Sequence, residues 1–209
     1  MPDRLQPRSL LALPWVYRLF VFLLGDRRRF VEEFVRPQPG MRLLDVGCGP
    51  GDVLAHLPEE VEYLGLDLSP AYIRAARQRF GRRGTFLCRS LDRTSAQELG
   101  HFDLVLASGL VHHLDDGQAR ELFRLAGRVL RPHGRLVTLD GCYTPQQSAL
   151  ARYFVSRDRG RYVRSVKGYQ ELARQVFGEV KTTLLHHYIR LPYTHIVMEC
   201  SQPHRREGP

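Results

Sequence analysis

The stretch Leu43-Leu44-Asp45-Val46-Gly47-Cys48-Gly49-Pro50-Gly51 decides the fold predicted for this chain. A short apolar run ends in an acid and then in three alternate glycines, which predicts a buried strand followed by a tight loop. Glycine accepts positive φ and lets a ligand approach the main chain, so we expect the loop amides to face a ligand. Dinucleotide-binding loops follow the pattern G-x-G-x-x-G, and Asp52 occupies the third glycine position here.

A second acid, Asp67, stands 22 positions after Asp45. It ends the apolar run Val61-Glu62-Tyr63-Leu64-Gly65-Leu66. At this distance a second parallel strand delivers a carboxylate to a place where ribose hydroxyls can donate to it. The two acids and the glycine loop together indicate a cofactor that contains a nucleoside.

Four segments, in this order and spacing, resemble the class I S-adenosylmethionine-dependent methyltransferases. They are Leu44 to Gly51, Gly65 to Ser69, Phe102 to Leu114 and Leu130 to Val137. The resemblance covers roughly residues 36–140. It implies an α/β, Rossmann-like fold with a seven-stranded, mostly parallel sheet, helices on both faces and an antiparallel last strand. It also implies S-adenosyl-L-methionine as cofactor and methyl transfer to oxygen, nitrogen or carbon of a small or lipid-linked acceptor.

The resemblance also implies roles for individual residues. Asp45 would orient the ammonium group of the cofactor, and Asp67 would accept from its ribose. Many relatives place an acid after the third strand to bind the adenine amine, whereas this chain has Ser90 there and Asp92 two residues later. Either Ser90 with the Leu91 backbone or Asp92 would take that role. The expected cofactor-binding set is Asp45, Gly47, Cys48, Gly49, Gly51, Asp67, Leu68, Ser90, Leu91 and Ser108.

Two adjacent histidines, His112 and His113, follow the predicted fourth strand and are the candidate catalytic residues. An imidazole with a pKa of ~6.5 suits removal of a proton from a hydroxyl or an amine. The alternative is that the pair only holds the loop or lines the cofactor. His186, His187 and His195 fall on the predicted closing strands and are expected to be structural. The sequence offers no carboxylate or cysteine at ligand spacing, so we predict no metal site.

The stretch 141–166 interrupts the alternation of strands and helices. In similar methyltransferases this region shapes the acceptor pocket, so it is the candidate substrate lid. The alternative is an exposed charged helix and loop. The candidate substrate-binding residues are Tyr143, Arg157, Arg159, Arg161, Tyr162 and Arg164.

Apolar periodicity and capping residues predict the elements along the chain. Ser69 and Pro70 predict a helix start before Ala71 to Phe80, and Asp116 predicts the start of a helix over 117–130. A further helix is predicted over 168–177. The predicted strands are 42–46, 61–66, 84–88, 102–107 and 135–140, followed by an antiparallel pair over 180–189 and 194–200.

The chain has 209 residues, of which 43% are hydrophobic and 25% charged, and this composition fits one globular domain, residues 1–209. Within it we expect an N-terminal helical cap (1–40), a cofactor-binding core (41–140), the lid (141–166), a closing helix and strands (167–202) and a flexible tail (203–209). Four widely separated cysteines indicate neither zinc nor a disulfide framework, which favours a reducing cytoplasm.

The net charge of +9 could favour nucleic acid, anionic lipid or an acidic substrate, or could simply be an arginine-rich surface. Methyltransferases that modify base amino groups usually carry an Asn/Asp-Pro-Pro-aromatic box where this chain has Ser108-Gly109-Leu110-Val111, so nucleic acid is disfavoured. The apolar run Leu10 to Gly25 is too short and too interrupted to span a bilayer. It is expected either to cap the active site or to contact a membrane surface peripherally.

Three functions compete at this point. The leading interpretation is a methyltransferase. The second is a nicotinamide-dependent oxidoreductase, which Asp52 disfavours, and the third is a non-catalytic cofactor-binding protein at a membrane surface. The sequence leaves the acceptor, the methylated atom and the oligomeric state open.

Overall fold

The computed structural model describes residues 27–157, 160–186, 188–189 and 191–204. The apolar run Leu10 to Gly25, the lid residue Arg159 and the tail beyond 204 were parts of the sequence predictions and lie outside the described residues. None of the helices in the described ranges is long and apolar enough to cross a lipid bilayer.

The described strands form one sheet in the order β3-β2-β1-β4-β5-β8-β7. Strands β1 to β5 are parallel, and β8 runs antiparallel to both β5 and β7, as predicted. A further two-residue strand, β6, pairs with β5, so the described sheet has eight strands instead of the predicted seven. The strands are β1 Arg42–Val46, β2 Glu62–Leu66, β3 Gly84–Leu87, β4 Phe102–Ser108, β5 Leu130–Tyr143, β6 Arg164–Ser165, β7 Phe177–Leu185 and β8 His195–Pro203.

Strand β5 is longer at both ends than the prediction over 135–140. It pairs with β4 at Leu130, and its register then shifts before Arg135 pairs with Leu104. Pro132 and Gly134 interrupt the apolar pattern in this irregular part, which is why periodicity did not extend the strand. At its other end the strand runs on to Tyr143 and thus into the segment assigned to the lid.

The helices surround the sheet on both faces. They are α1 Arg27–Phe30, which continues as a π-turn over Val31–Val35, then α2 Pro70–Phe80, α3 Arg93–Glu98, α4 Asp116–Val129, α5 Ala149–Ser156 and α6 Val166–Arg174. Ser69 caps α2 as predicted, because its side chain accepts from Tyr72 N. Helix α4 begins one residue earlier than predicted, because Asp115 forms a capping box with Gln118. Helix α6 spans 166–174 instead of 168–177, because Ser165 caps it and β7 begins at Phe177.

The sheet separates two apolar cores. One lies beneath α4 and α6 and contains Phe123 and Tyr169. The other lies beneath α1 and α2 and contains Phe30 and Ile73. Strand β1 lies between β2 and β4, so the loops after β1 and β4 diverge and open a crevice at the carboxyl edge of the sheet. Four predicted site residues line a small cavity there, namely Asp45, Gly47, Cys48 and Ser108.

The loop after β1 depends on left-handed glycines. Gly47, Gly49 and Gly51 have φ values of 74°, 54° and 78°, which side chains rarely adopt. At Gly51 space is also short, because an added Cβ would lie 3.0 Å from Cε1 of Phe86 and 3.3 Å from Cδ2 of Phe80. This glycine therefore combines a conformational requirement with a packing requirement.

These two requirements can be separated with a matched pair of substitutions. Gly40 has φ 79° but nothing within 4 Å of an added Cβ. We expect Gly40→Ala to lower the free energy of unfolding by about 1–2 kcal/mol through backbone strain alone. Gly51→Ala should lower it by about 1–3 kcal/mol more, because overpacking is added. Urea denaturation of both variants measures the difference, and equal losses would contradict the packing argument.

Candidate active site

The amides of the glycine loop already have acceptors, mostly at the end of β2, which corrects the expectation that they face a ligand. Gly47 N and Cys48 N both donate to Leu66 O, at 2.7 and 3.0 Å, and Gly51 N donates to Cys48 O. Gly49 N donates to Asp67 Oδ2 at 2.9 Å. The loop therefore offers a ligand close approach to a surface without side chains, and few of its hydrogen-bond donors remain for binding.

Asp67 stands at the end of β2, half-buried, with its carboxylate held in one orientation. Oδ2 accepts from Gly49 N, and Oδ1 accepts from Ser69 N at 2.7 Å. Each carboxylate oxygen has two acceptor positions, so a second partner can bind each of them. A fixed, half-exposed carboxylate of this kind fits the two hydroxyls of a ribose.

Asp45 is buried beneath the loop, with 2% of its surface exposed. Tyr63 donates its hydroxyl to Asp45 Oδ2 at 2.7 Å. Burial raises the pKa of Asp45 from its ordinary value near 3.8 to about 6, although Tyr63 and Arg27 act in the opposite direction. The nearby Asp67 also contributes to the rise. The site thus holds a negative charge that the fold alone does not fully compensate.

Arg27 is a site residue that sequence reasoning missed. It lies in a run of three arginines that was treated only as surface charge. In the structure its guanidinium approaches Asp45 closely enough to lower the pKa of that carboxyl. The small cavity at this point is lined by Arg27, Asp45, Gly47, Cys48, Pro50, Asp52, Val53 and Ser108. Four of those eight residues belong to the predicted cofactor-binding set.

The opposite side of the crevice has an apolar surface and a capped helix. Leu68 is 73% exposed, the largest exposed fraction of any large apolar residue in the described ranges. Asp92 accepts from Ser95 N at 2.8 Å and forms the capping box of α3. The Oδ1 atom of Asp92 is therefore engaged in capping, so Ser90 and the Leu91 backbone are the less committed candidates for adenine.

His112 and His113 occupy different environments. His112 is 7% exposed, and its Nδ1 lies 2.8 Å from Oδ1 of Asp140 in β5. The backbone N–H of His112 donates to the same oxygen at 3.1 Å. His113 is exposed, with its ring centroid 4.3 Å from that of His112. Sequence reasoning did not identify Asp140, because its partner His112 lies 28 residues away in the loop after β4.

After α5 the candidate lid returns to the loop after β4 that carries His112 and His113, here called the histidine loop. Tyr162 N donates to His112 O at 2.9 Å, and Gly160 lies against the imidazole. Arg164 inserts its guanidinium into this junction, where it donates to Val111 O, Leu114 O and the Asp116 carboxylate. Arg164 therefore holds the loop after β4 in place, and its donors are engaged there.

The remaining lid residues form an exposed, mixed surface. Arg152 lies over the ring of Tyr143, with 5.6 Å from guanidinium carbon to centroid, and Arg157 lies over Tyr153 at 5.4 Å. Arg161 and Tyr162 are exposed. In the described ranges no cluster of three or more His, Cys, Asp or Glu side chains could hold a metal ion.

These features fit S-adenosylmethionine. The cradle of glycines would pass beneath its methionine part, Asp67 would bind the ribose, and exposed Leu68 would cover one face of the adenine. The buried acid and the arginine in the small cavity match the ammonium and carboxylate at its other end. The loop and these side chains therefore suit a ligand that combines a ribose, an adenine, an ammonium group and a carboxylate.

Comparison with known proteins also points to methyltransferases. A family model described as "Methyltransferase domain" matches residues 43–134. Over that range, which is less than half of the chain, the protein is similar to methyltransferases. Among curated relatives, the ubiquinone biosynthesis O-methyltransferase of Xanthomonas axonopodis pv. citri is 30% identical over 131 residues, which are 60% of this chain and 53% of that protein. Phosphoethanolamine N-methyltransferase 1 of Arabidopsis thaliana is 28% identical over 155 residues, 72% of this chain and 31% of that protein.

Among solved structures, a TehB-like SAM-dependent methyltransferase from Corynebacterium glutamicum aligns with a TM-score of 0.66 at 18% identity. The alignment covers 94% of this chain and all of that chain. At this identity the likeness concerns the fold, and it agrees with the predicted Rossmann-like sheet. Against the two curated relatives, this chain spans about half of one and a third of the other.

The buried charge of Asp45 predicts a pH-dependent effect on stability. Because its pKa in the folded protein is raised, ionisation penalises the fold; the penalty is absent below pH ~4 and complete above pH ~6. We expect Asp45→Asn to gain stability relative to the wild type over this window, by up to about 3 kcal/mol, less any weakening of the bond to Tyr63. Urea denaturation between pH 4 and 8 measures the gain.

Asp103→Asn provides a control of opposite sign. Burial raises the pKa of Asp103, but Arg42 N–H and the Arg131 guanidinium outweigh it, so the pKa is lowered overall. Because a lowered pKa acts below the ordinary value near 3.8, Asp103→Asn should lose stability relative to the wild type as the pH rises toward about 4, and the difference should then stay constant between pH 4 and 8. A stability difference for Asp45→Asn that does not change with pH would show that Asp45 is not penalised by burial.

Proposed function

We propose that the protein transfers a methyl group from S-adenosylmethionine to a small acceptor. The observation that carries this proposal is the Asp67 carboxylate, held by Gly49 N and Ser69 N at the crevice between the diverging loops. The match of residues 43–134 to a methyltransferase domain supports the same reaction. When bound, the cofactor would supply a methyl group on a positively charged sulfur, which needs no further activation.

The residues of the chain then have mainly to hold and align the reactants. Asp45 would pair with the ammonium group of the cofactor, and this pairing would relieve the unfavourable buried charge. Arg27 would bind the neighbouring carboxylate, for which a guanidinium is well suited. Ser90 and the Leu91 amide would bind the adenine edge. Each role is a proposal built on the distances and burial described above.

A small acceptor is supported by the names of the relatives, which refer to ubiquinone biosynthesis and to phosphoethanolamine. The lid adds a second indication. Its exposed arginines, Arg157 and Arg161, lie beside the exposed apolar side chains of Tyr153 and Tyr162. This combination suits an acceptor that carries a phosphate or carboxylate on an apolar body, including a lipid-linked one. Peripheral membrane contact and a cytoplasmic location stay predictions.

Isothermal calorimetry and a turnover screen test the proposal together. S-adenosylhomocysteine should bind the protein, while NAD should not, and binding of NAD alone would favour the oxidoreductase. Turnover is then followed as S-adenosylhomocysteine formation with a catechol, phosphoethanolamine and a wider panel of phosphorylated and carboxylated metabolites. Binding without any turnover would favour the non-catalytic interpretation.

Asp67→Ala should weaken S-adenosylhomocysteine binding at least tenfold. A carboxylate that accepts from two hydroxyls makes charge-assisted hydrogen bonds of about 1.5–3 kcal/mol each, and about 1.4 kcal/mol corresponds to a decade in affinity. Asp92→Ala is the matched control, because the same substitution in the neighbouring loop removes only the cap of α3. That variant should lose about 1 kcal/mol of stability and keep its affinity within threefold. Unchanged affinity in folded Asp67→Ala would exclude the assignment.

Arg161→Ala and Arg164→Ala should affect different quantities. For an anionic acceptor, loss of the exposed Arg161 is expected to raise KM for the acceptor about tenfold and to leave KM for the cofactor within twofold. Arg164→Ala should instead lower the free energy of unfolding by about 2–4 kcal/mol, because several backbone carbonyls lose their donor. Steady-state kinetics and urea denaturation distinguish them. Equal effects of both variants on KM would contradict this division.

A further inference from the structure

A groove of about 630 Å³ lies at the edge of the sheet opposite the crevice. His101, which directly precedes β4, lines it together with Leu130, the first residue of β5, and His204, which directly follows β8. Because β8 is antiparallel to β5, these three positions meet at the amino ends of the parallel strands. The groove shares no lining residue with the small cavity beside Asp45. It is therefore a separate feature of the molecule.

Close packing between α4 and the last strands forms the floor of the groove. An added Cβ on Gly127 would lie 3.1 Å from Cβ of Pro203 and 3.3 Å from Cγ1 of Val176, so a glycine lets the helix approach this point. His204 N donates to Val176 O at 2.7 Å, which ties the chain after β8 to the start of β7. Leu130 and Val176 are buried. The floor is thus apolar and fixed by the core.

The rim of the groove is strongly basic. Arg93 comes from α3, while Arg124 and Arg128 come from α4, and one carboxylate, that of Glu121, lies among them. Three positive charges and one negative charge leave a formal excess of two positive charges. Arg124 and Arg128 are both exposed and stand four residues apart, so they lie on the same face of the helix. Guanidinium groups therefore border the groove from two helices.

These guanidiniums are only weakly committed to partners in the protein. Glu121 lies 3.4 Å from Nε of Arg93 and 3.6 Å from Nη1 of Arg124. The two arginine side chains are 76% and 53% exposed, and exposed ion pairs of this kind contribute little. Among the described residues, no hydrogen bond or ion pair engages Arg128. A ligand could therefore recruit all three groups at small cost.

The chemistry of the rim suits phosphate groups. A guanidinium presents a rigid fork of donors that matches the oxygens of a phosphate. Because the arginines stand on two helices, they can bind two anionic groups from different sides. The imidazoles of His101 and His204 offer additional donors. The volume lies within the range of small-molecule sites, about 300–1,000 Å³, which favours a metabolite over a nucleic-acid strand.

We propose that this groove binds a small molecule that carries at least two phosphate groups. Arg93, Arg124 and Arg128 bind the phosphates, and the two histidines add hydrogen bonds. The inference does not depend on the proposed methyl transfer, because the groove and the crevice lie at opposite edges of the sheet. It also gives a role to part of the net charge of +9, which the proposed function leaves largely unexplained.

Isothermal calorimetry of the full-length protein with inorganic pyrophosphate tests the site. At an ionic strength of about 0.15 M the Debye length is ~8 Å, so diffuse attraction to the basic protein is largely screened. We expect a dissociation constant below about 1 mM. Sulfate should bind at least about tenfold more weakly, because it has a single anionic centre. A weaker constant for pyrophosphate, or a sulfate affinity within tenfold of it, would overturn the proposal.

Substitution of the rim arginines locates the binding. Arg128→Gln should weaken pyrophosphate binding about tenfold, and Arg124→Gln with Arg128→Gln at least about fiftyfold. Arg82→Gln is the matched control, because it removes the same charge from an exposed position outside the groove. It should keep the affinity within twofold, and an equal loss in this control would show diffuse attraction and refute the site. If the double variant does not fold, Arg93→Gln on α3 should still weaken binding about tenfold.

Other locations and partners give distinct results. Arg161→Gln tests the lid, and Arg205→Gln with Arg206→Gln tests the tail, which lies outside the described residues. Binding that survives Arg128→Gln and is lost in either of these variants would move the anion site and overturn the proposal.

A single-stranded thymidine decanucleotide tests the nucleic-acid alternative. If it binds more tightly than pyrophosphate and loses affinity in Arg128→Gln, the groove is a nucleic-acid site, and the proposal is wrong. S-adenosylhomocysteine binding is measured separately on the same protein, so failure of the proposed function is distinguishable from failure of this one.

Discussion

The hydrogen bond between Gly49 N and Asp67 Oδ2 is the contact on which the site depends. It joins the loop after β1 to the end of β2, and Ser69 N fixes the other carboxylate oxygen. Since β1 lies next to β4 in the sheet, this junction also forms one wall of the crevice where the loops diverge. The carboxylate therefore shapes the loop before it can bind a ribose. Loop geometry and the proposed binding of the ribose use the same two oxygen atoms.

Most of the fold could be predicted because its signals are local. The alternation of apolar runs with capping residues located β1 to β4 and α2 within one or two residues of their observed ends. The same local signals misplaced the start of α4, where Asp115 and Asp116 are equally good caps and only the geometry of Gln118 decides. They also missed β6, because a two-residue strand has no periodicity.

The parts of the site that sequence reasoning missed are long-range pairings. Asp140 reads as an ordinary residue near the end of a strand, and only the register of β4 against β5 brings it to His112. Arg164 was grouped with the lid arginines because composition does not reveal that its guanidinium turns inward. Arg27 reads as surface charge until α1 packs against the loop. In each case the role of the side chain depends on a contact with a residue that is distant in sequence, and sequence spacing does not reveal such contacts.

The two buried acids of the site illustrate how function can depend on incomplete compensation. Asp45 is penalised by burial, and Tyr63 offsets only part of the penalty. Asp140 keeps one oxygen without a hydrogen bond. In both positions a fully satisfied or apolar residue would make the fold more stable, as replacement of buried charges often does. What such a residue would remove is the affinity for a cation. Under the proposed function, the cation at Asp45 would be the ammonium group of the cofactor. A cation that is present before and after the reaction binds beside Arg27 equally in the ground state and the transition state, so the buried charge of Asp45 would favour binding of the cofactor and would not itself accelerate the chemical step.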